Sequence, residues 1–299
     1  MTKYAPIILF AFNRPDAIRR TVESLKRNTE ALESDLFVFV DGPRESCPSD
    51  VDNVHRVKEY VNTITGFSNV ERKFSETNRG LASSVITGVS DVINRYGRAI
   101  VLEDDLILSD NCLSFLNQGL DIYKEKHEVF SVCAYTNKVS IPQNYNEDAY
   151  FCVRSSSWGW ATWADRWNSV DWELNDWAKY AGMKNAFNKW GGSDCYGMLQ
   201  GWRNGLNKSW AIRFCFAQFL QQKLSLFPVI SKISNEGFDG EGTNCKKYNR
   251  FKCVFDKTVN KSFRFPVEVV LNRQLYKSAL SYHSIPKRMW SKIMYILYR

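Results

Sequence analysis

Three consecutive acids, Glu103-Asp104-Asp105, follow directly on the apolar run Ala99–Leu102. Carboxylates at the end of a buried strand have two ordinary uses. They can hold a divalent cation, which neutralises a pyrophosphate and takes up charge on a departing nucleoside diphosphate. They can also cap the helix that follows. Spacing alone leaves both open. Glu103, placed after Val101-Leu102, is costly to bury without a partner. The chain has no Gly-x-x-x-x-Gly-Lys-Ser/Thr loop, so the acids are not part of a P-loop phosphate site. Three more polar clusters end apolar or strand-like stretches in the same way. Asn13-Arg14-Pro15 follows residues 5–12, Asp41-Gly42-Pro43 follows Leu36–Val40, and Glu76-Thr77-Asn78-Arg79-Gly80 follows residues 70–74.

These clusters need a scaffold, and the segments between them supply one. Continuous apolar runs such as 5–12 suit strands buried on both faces of a parallel sheet. Between them lie helical stretches. One starts at Asp16 with Ile18, Val22 and Leu25 on one stripe. A second covers about 50–64, and a third covers Leu81–Asn94 with Leu81, Val85, Val89, Val92 and Ile93 largely on one side. Alternating strands and helices predict βαβ units and a mainly parallel sheet. Ligands of such sheets bind beyond the carboxyl ends of the strands, and all four polar clusters fall at those ends.

The run Asn78-Arg79-Gly80-Leu81, followed by Ala99-Ile100-Val101-Leu102-Glu103-Asp104-Asp105-Leu106, resembles the nucleotide-sugar half of GT-A fold glycosyltransferases. The likeness is to the animal N-acetylglucosaminyltransferase that starts complex N-glycan branching and to bacterial family-2-like sugar transferases. It covers roughly residues 5–245. It implies an α/β, Rossmann-like sheet, mostly parallel and flanked by helices, with a nucleotide-sugar half (1–130) and an acceptor half of the same domain (131–245), the latter rich in aromatic residues. Charge and periodicity add a basic extension (246–299) with a C-terminal helix. The resemblance implies that Asp105 is the direct ligand of Mn²⁺ or Mg²⁺ and that Asp104 contacts the ribose or assists the metal. Glu103 would face the nucleotide or sugar. Phe12, Asn13, Arg14 and Asp41 would hold base and ribose, with Asn78 and Arg79 near the nucleotide or phosphates.

Nine of the ten tryptophans lie between 158 and 210. Trp158-Gly159-Trp160 corresponds, by the same resemblance, to an aromatic acceptor-binding segment. Aromatic faces can pack on sugar C–H groups, but tryptophans also make cores under loops. Residues 235–244 form a glycine-rich polar loop, either a lid or a plain surface loop. Asn244 stands where bacterial relatives tend to have histidine. An inverting transferase needs a carboxylate base at the acceptor hydroxyl. In the animal enzyme that acid follows a tryptophan; setting Trp210 in its place puts Ala211 where the acid belongs. Asp239, then Glu236 and Asp194, are the remaining candidates.

The net charge of +8 is uneven. Residues 246–299 hold 13 Lys/Arg against Asp256 and Glu268, whereas residues 1–245 hold 27 against 30 acids. That split excludes a whole-protein nucleic-acid footprint and suits a tail that meets an anionic surface. Residues 284–299 read as a basic amphipathic helix, which can lie in a membrane interface or dock on the protein. The eight scattered cysteines, none in a Cys-x-x-Cys pair, read as buried free thiols in a reducing compartment. No signal peptide or membrane-spanning run is visible. The expected function is metal-dependent, inverting transfer of a sugar from a nucleotide-sugar, a UDP-sugar being favoured, to a glycan or lipid-linked acceptor. The setting would be bacterial surface polysaccharide or lipopolysaccharide synthesis, in the cytoplasm or on the inner face of the membrane. The rival readings are a nucleotidyltransferase and a non-catalytic carbohydrate-binding protein.

Overall fold

A computed structural model describes residues 3–237 and 250–297. The first half follows the expected alternation. β1 (Ile7–Ala11), β2 (Asp35–Val40), β3 (Asn69–Phe74) and β4 (Arg98–Glu103) are separated by α1 (Pro15–Lys26), α2 (Ser49–Asn62) and α3 (Leu81–Tyr96). There follow β5 (Leu106–Leu108), α4 (Cys112–Ile122), β6 (Val129–Cys133), β7 (Ala149–Cys152), β8 (Trp160–Trp163) and α5 (Ala164–Asn168). Then come α6 (Trp177–Tyr180), α7 (Lys184–Gly191), α8 (Cys195–Arg203), α9 (Trp210–Leu220), β9 (Leu224–Pro228), β10 (Ile233–Asn235), α10 (Arg273–Ser281) and α11 (Ile285–Leu297).

Eight strands form one sheet in the order β3-β2-β1-β4-β8-β6-β9-β7, and β5 pairs with β10 in a two-stranded ribbon. Strands β1–β4 pair in parallel, as do β6 and β9, while β8 runs antiparallel to both β4 and β6. This is the α/β, mostly parallel arrangement expected of the GT-A fold. The two halves named from sequence share this sheet.

Strand alternation divides the core. Ile7, Leu9, Ile100 and Leu102 face α1, α2 and α4 through Ile18, Val22, Val57 and Leu116. Ile8, Phe10, Ala99 and Val101 face Val85, Val89 and Val92 of α3, with Trp160, Trp167, Trp210 and Phe214 beyond. Each such side chain, fully buried, contributes about 1.5–3 kcal/mol. Helix α3 lies close on the sheet because residue 88 is glycine: a Cβ there would stand 2.9 Å from the Phe10 ring and 3.1 Å from the Phe39 ring. Closeness here fixes where the N-terminus of α3 points.

The basic extension is packed along the body from residue 250 on. Phe263 and Phe265 both stand 5.3 Å from Phe115 of α4. Lys232 and Asp256 form a buried ion pair. Cys112, Cys133, Cys152, Cys195 and Cys215 are buried free thiols. No helix among the described residues is long and apolar enough to cross a membrane.

Candidate active site

The parallel register brings the strand ends together. Ala11 pairs with Val40, Val40 with Phe74, and Phe10 with Glu103. Between β1 and β4 the strand order reverses, which opens a crevice. A cleft of about 670 Å³ lies there, within the range of about 300–1,000 Å³ usual for small-molecule sites. Phe12, Asn13, Arg14, Asp41, Asn78 and all three acids of 103–105 line it from the first half. Trp158, Lys208, Ser209, Trp210, Ala211 and Asn235 line it from the second.

The acids are held by an arginine from the next strand end. Arg14 Nη2 donates to Asp104 Oδ1 at 2.5 Å and stands 3.0 Å from Asp105 Oδ2. The Phe12 N–H donates to Asp104 Oδ2 at 3.3 Å, and Thr21 Oγ1 donates to the Asp104 carbonyl at 2.7 Å. Burial by itself would pull the guanidinium of Arg14 down, but Asp104 and Asp105 outweigh it and hold Arg14 above its ordinary value. Glu103, two residues after Val101, faces the α3 side of the sheet. Burial, with the like charges of Asp105 and Asp104, pushes its carboxyl up to about 8 against the pull of Arg14. Burial also raises Asp104, although Arg14 opposes it.

Asp105 Oδ1 is buried with no hydrogen-bond partner among the described residues. One open carboxylate oxygen suits a cation such as Mg²⁺, which takes one or two carboxylates and completes its shell with substrate phosphates and water. Among the described residues no group of three or more His, Cys, Asp or Glu could hold a metal on protein ligands alone. An ion at Asp105 would need donors beyond these residues. The start of the 235–244 loop crosses directly over this carboxylate. The Glu236 N–H donates to the Asp105 carbonyl at 2.9 Å. A Cβ on Gly237 would stand 2.3 Å from Asp105 Oδ2.

Beside the acids lies a slot that sequence reasoning only half found. Asn13 Nδ2 donates to Asp50 Oδ1 at 2.7 Å, and Arg44 holds both Asp50 oxygens, at 2.6 and 2.9 Å. These bonds, Arg44 first, keep the Asp50 carboxyl well below its ordinary range despite burial. The Arg44 guanidinium also stands 5.3 Å from the centre of the Phe12 ring. Arg44 and Asp50 lie in or near the loop after β2, and only the bond of Asp50 to Asn13 and the place of Arg44 over Phe12 mark them. Asp41 accepts from the backbone N–H groups of Gly42, Arg79 and Gly80 at 3.0, 2.8 and 2.9 Å. It thereby pins the N-terminus of α3 at the cleft. Asn78 donates to the Gly42 carbonyl at 2.9 Å. Arg79 is exposed and meets the site through its backbone alone; its side chain does not line the cleft.

The second half brings only part of what was expected. Trp158 is half-buried, lines the cleft and meets Tyr135 edge-on at 4.6 Å. Trp160 does not reach the cleft. It is 1% exposed and packs among Trp167, Trp210 and Phe214, because β8 lies inside the sheet and sends it into the core. Gly159 is buried with φ 62°, and its carbonyl accepts from Ala134 at 2.8 Å. Asp194 is likewise not a cleft residue: Arg154 holds it at 2.8 Å in a buried ion pair. Glu236 turns away to Arg20 at 3.3 Å. Asp239 and Asn244 lie outside the described residues. Ala211 does line the cleft, where the resemblance would have put the base.

Sequence reasoning missed Lys208 and Ser209. Ser209 caps α9 by accepting from the Ile212 N–H at 3.2 Å, so the N-terminus of α9 opens on the cleft beside Lys208. Two helix N-termini, α3 and α9, together with Arg14, Arg44 and Lys208, thus surround the cavity. Helix N-termini and fixed cations favour a bound anion such as a diphosphate.

Residues 7–140 match the model of the family described as Glycosyl transferase family 2. This stretch, a little under half of the chain, is similar to that family. It carries β1 to β6 and every acid of the cleft. Solved structures similar to the chain include S. aureus TarS, at TM-score 0.39 and 12% identity over 76% of this chain and 35% of that one. The galactosyltransferase LgtC, in complex with donor and acceptor sugar analogs, is similar at TM-score 0.33 and 10% identity, over 55% of this chain and 60% of that one. The WbbM bifunctional glycosyltransferase is similar at TM-score 0.31 and 9% identity, over 55% and 32%. The chain therefore spans between about a third and three fifths of the length of these proteins.

Proposed function

We propose that the chain is a metal-dependent glycosyltransferase that moves a sugar from a nucleotide-sugar, with a UDP-sugar favoured, to a hydroxyl of a glycan or lipid-linked acceptor. The observation that carries this reading is a single cleft. It joins the acids of the family 2 segment to two helix N-termini, three cations and the face of Trp158. Phe12, Asn13 and Arg44 form the slot for base and ribose. Asp105, with Asp104 behind it, would hold Mn²⁺ or Mg²⁺, which would supply positive charge to the diphosphate. Arg14, Lys208 and the α9 N-terminus add fixed positive potential on the same group. Burial holds the Glu103 carboxyl, which lines the cleft, above its ordinary range. Trp158 offers an apolar face to an acceptor sugar. Attack of the acceptor hydroxyl on the anomeric carbon from the side opposite the diphosphate inverts that centre. Of the candidate bases Asp239 is retained, since Asp194 and Glu236 do not line the cleft. The basic extension favours work against an anionic membrane surface, as in bacterial surface polysaccharide synthesis.

The test is a thermal-shift panel of nucleotide-sugars with and without Mn²⁺, on the parent chain and on Asp105→Ala, with hydrolysis of each donor followed in parallel. The reading expects stabilisation by at least one donor that needs Mn²⁺, is lost in Asp105→Ala, and comes with slow donor cleavage. Stabilisation by free sugars alone, with no cleavage, would instead indicate a carbohydrate-binding protein.

A further inference from the structure

Helix α11 docks on the body by its less apolar side. Ser291 is 1% exposed, and Arg288 donates to Ser193 Oγ at 2.9 Å. With 3.6 residues per turn, these two share one side of the helix. Ile285, Met289, Trp290, Ile293, Ile296 and Leu297 fall in one continuous arc on the opposite side, and they are 49–72% exposed. A surface helix ordinarily turns such an arc to the core; here it faces away from the protein. Lys292 borders the arc on one edge and Lys287 on the other. Lys287 is fixed by a 2.8 Å bond to Ser281 Oγ and by the Tyr282 ring 3.9 Å away.

We propose that this outward face of α11 lies in the interface of an anionic lipid bilayer. The proposal rests on the transferase reading only for its purpose, which is to hold the enzyme where a lipid-linked acceptor is found. Charge decides the occupant. Residues 246–299 carry 13 Lys/Arg against two acids, which complements a surface of anionic headgroups. Two copies meeting through this face would bring Lys287 and Lys292, at its edges, against their like. Within its thirteen described residues α11 sets Lys287 and Lys292 beside the apolar arc, the pattern of a helix that lies along an interface with its charges in water. Lysines bordering an apolar arc can seat their stems in the interface with the ammonium groups in water, and Trp290 suits the same boundary.

The attachment is placed to matter for the site. His283, which precedes α11, accepts through its carbonyl from Ser193 Oγ at 2.8 Å. His283 also lines a second, smaller cavity of about 180 Å³, and that cavity shares Trp158 with the main cleft. The start of α11 is thus tied, through His283, to the cavity that adjoins Trp158.

The experiment is flotation of the full chain with vesicles of phosphatidylcholine alone and of an equimolar mixture with phosphatidylglycerol, repeated at high salt. Ile293→Ser/Ile296→Ser and Lys292→Glu are carried alongside. The parent should float with the mixed vesicles, and less so at high salt. The double variant should bind on the order of tenfold more weakly, with its thermal unfolding unchanged. Brominated lipid should quench the parent more than Trp290→Phe. Failure of the parent to float with anionic vesicles, or equal flotation of the double variant, overturns the proposal. So does a parent dimer in light scattering that the double variant abolishes. Donor hydrolysis is measured on the same samples without vesicles, so loss of lipid binding and loss of transferase chemistry are told apart.

Discussion

Arg14 and Asp104, ninety residues apart in sequence, are joined by a hydrogen bond of 2.5 Å at the centre of the cleft. The same guanidinium nitrogen also reaches Asp105. Arg14 is thus the fixed counter-charge of two adjacent, mostly buried carboxylates. Arg14→Met should leave them uncompensated at a cost of about 3 kcal/mol, read in urea unfolding. Saturating Mn²⁺ should return part of that loss, because a cation that binds only the folded chain stabilises it. A variant as stable as the parent, or one indifferent to Mn²⁺, would contradict this account of the acids.

Gly237 is the second control on Asp105. A methyl group at residue 237 would collide with Asp105 Oδ2 and come within 3.2 Å of Asn235 Oδ1. In Gly237→Ala either the carboxylate rotates or the backbone at 235–237 withdraws. Overpacking of this kind costs about 1–3 kcal/mol. The sharper expectation is a drop in apparent Mn²⁺ affinity on the order of tenfold, measured by titrating the thermal shift. An unchanged Mn²⁺ titration would place the ion away from Asp105.

The two tryptophans of the 158–160 segment should part company. Trp160 fills the core beneath β8, and Trp160→Ala should cost about 3–5 kcal/mol of stability. Trp158 is half-buried at the cleft. Trp158→Ala should cost much less stability, yet raise KM for the acceptor far more than it changes donor hydrolysis. Urea unfolding and the two kinetic assays together decide this; equal destabilisation by both variants would refute the assignment of Trp158 to the acceptor.

Acid should weaken the fold through His283. Burial, with Arg154 and then Arg250 and Arg288, presses its imidazole down to about 3 from 6.5, and only Asp194 works the other way. The unfolded chain therefore takes up the proton first. The contribution is full above pH 6.5 and is lost as pH falls toward 3, at about 1.4 kcal/mol per pH unit. Asp194 itself is pushed up by burial but held down to about 2 by Arg154, so it adds the same sign below 3.8. His283→Gln should flatten the slope between pH 6.5 and 4 in urea midpoints taken at successive pH values. A slope equal to the parent's would assign the acid sensitivity elsewhere.

The first half of the fold is legible in the sequence because local and global signals agree there. The apolar runs at 5–12, 36–40 and 99–102 are strands buried on both faces, and the polar residues that end them must gather at one edge. The second half hides its logic in contacts between distant residues. Nothing local distinguishes Trp158, at the cleft, from Trp160, in the core; that depends on β8 entering the sheet. Asp194 looks like a spare carboxylate until Arg154, forty residues away, is seen to hold it. Arg44 and Lys208 reach the cleft through loops without a pattern. The periodicity of α11 shows that it has an apolar side, but only its contacts with the body show which side docks.

Strand β8 has one more consequence. It forms ladders with β4 of the first half on one side and β6 on the other, with Val101 paired to Trp160 and Val132 to Ala161. Many enzymes close over a substrate like a clamshell, by swinging two bodies about a hinge. Here such a swing between β4 and β6 would tear a hydrogen-bonded ladder in the middle of the sheet. The scaffold is then a rigid bench, and any rearrangement around a bound ligand falls to the loops at its edge.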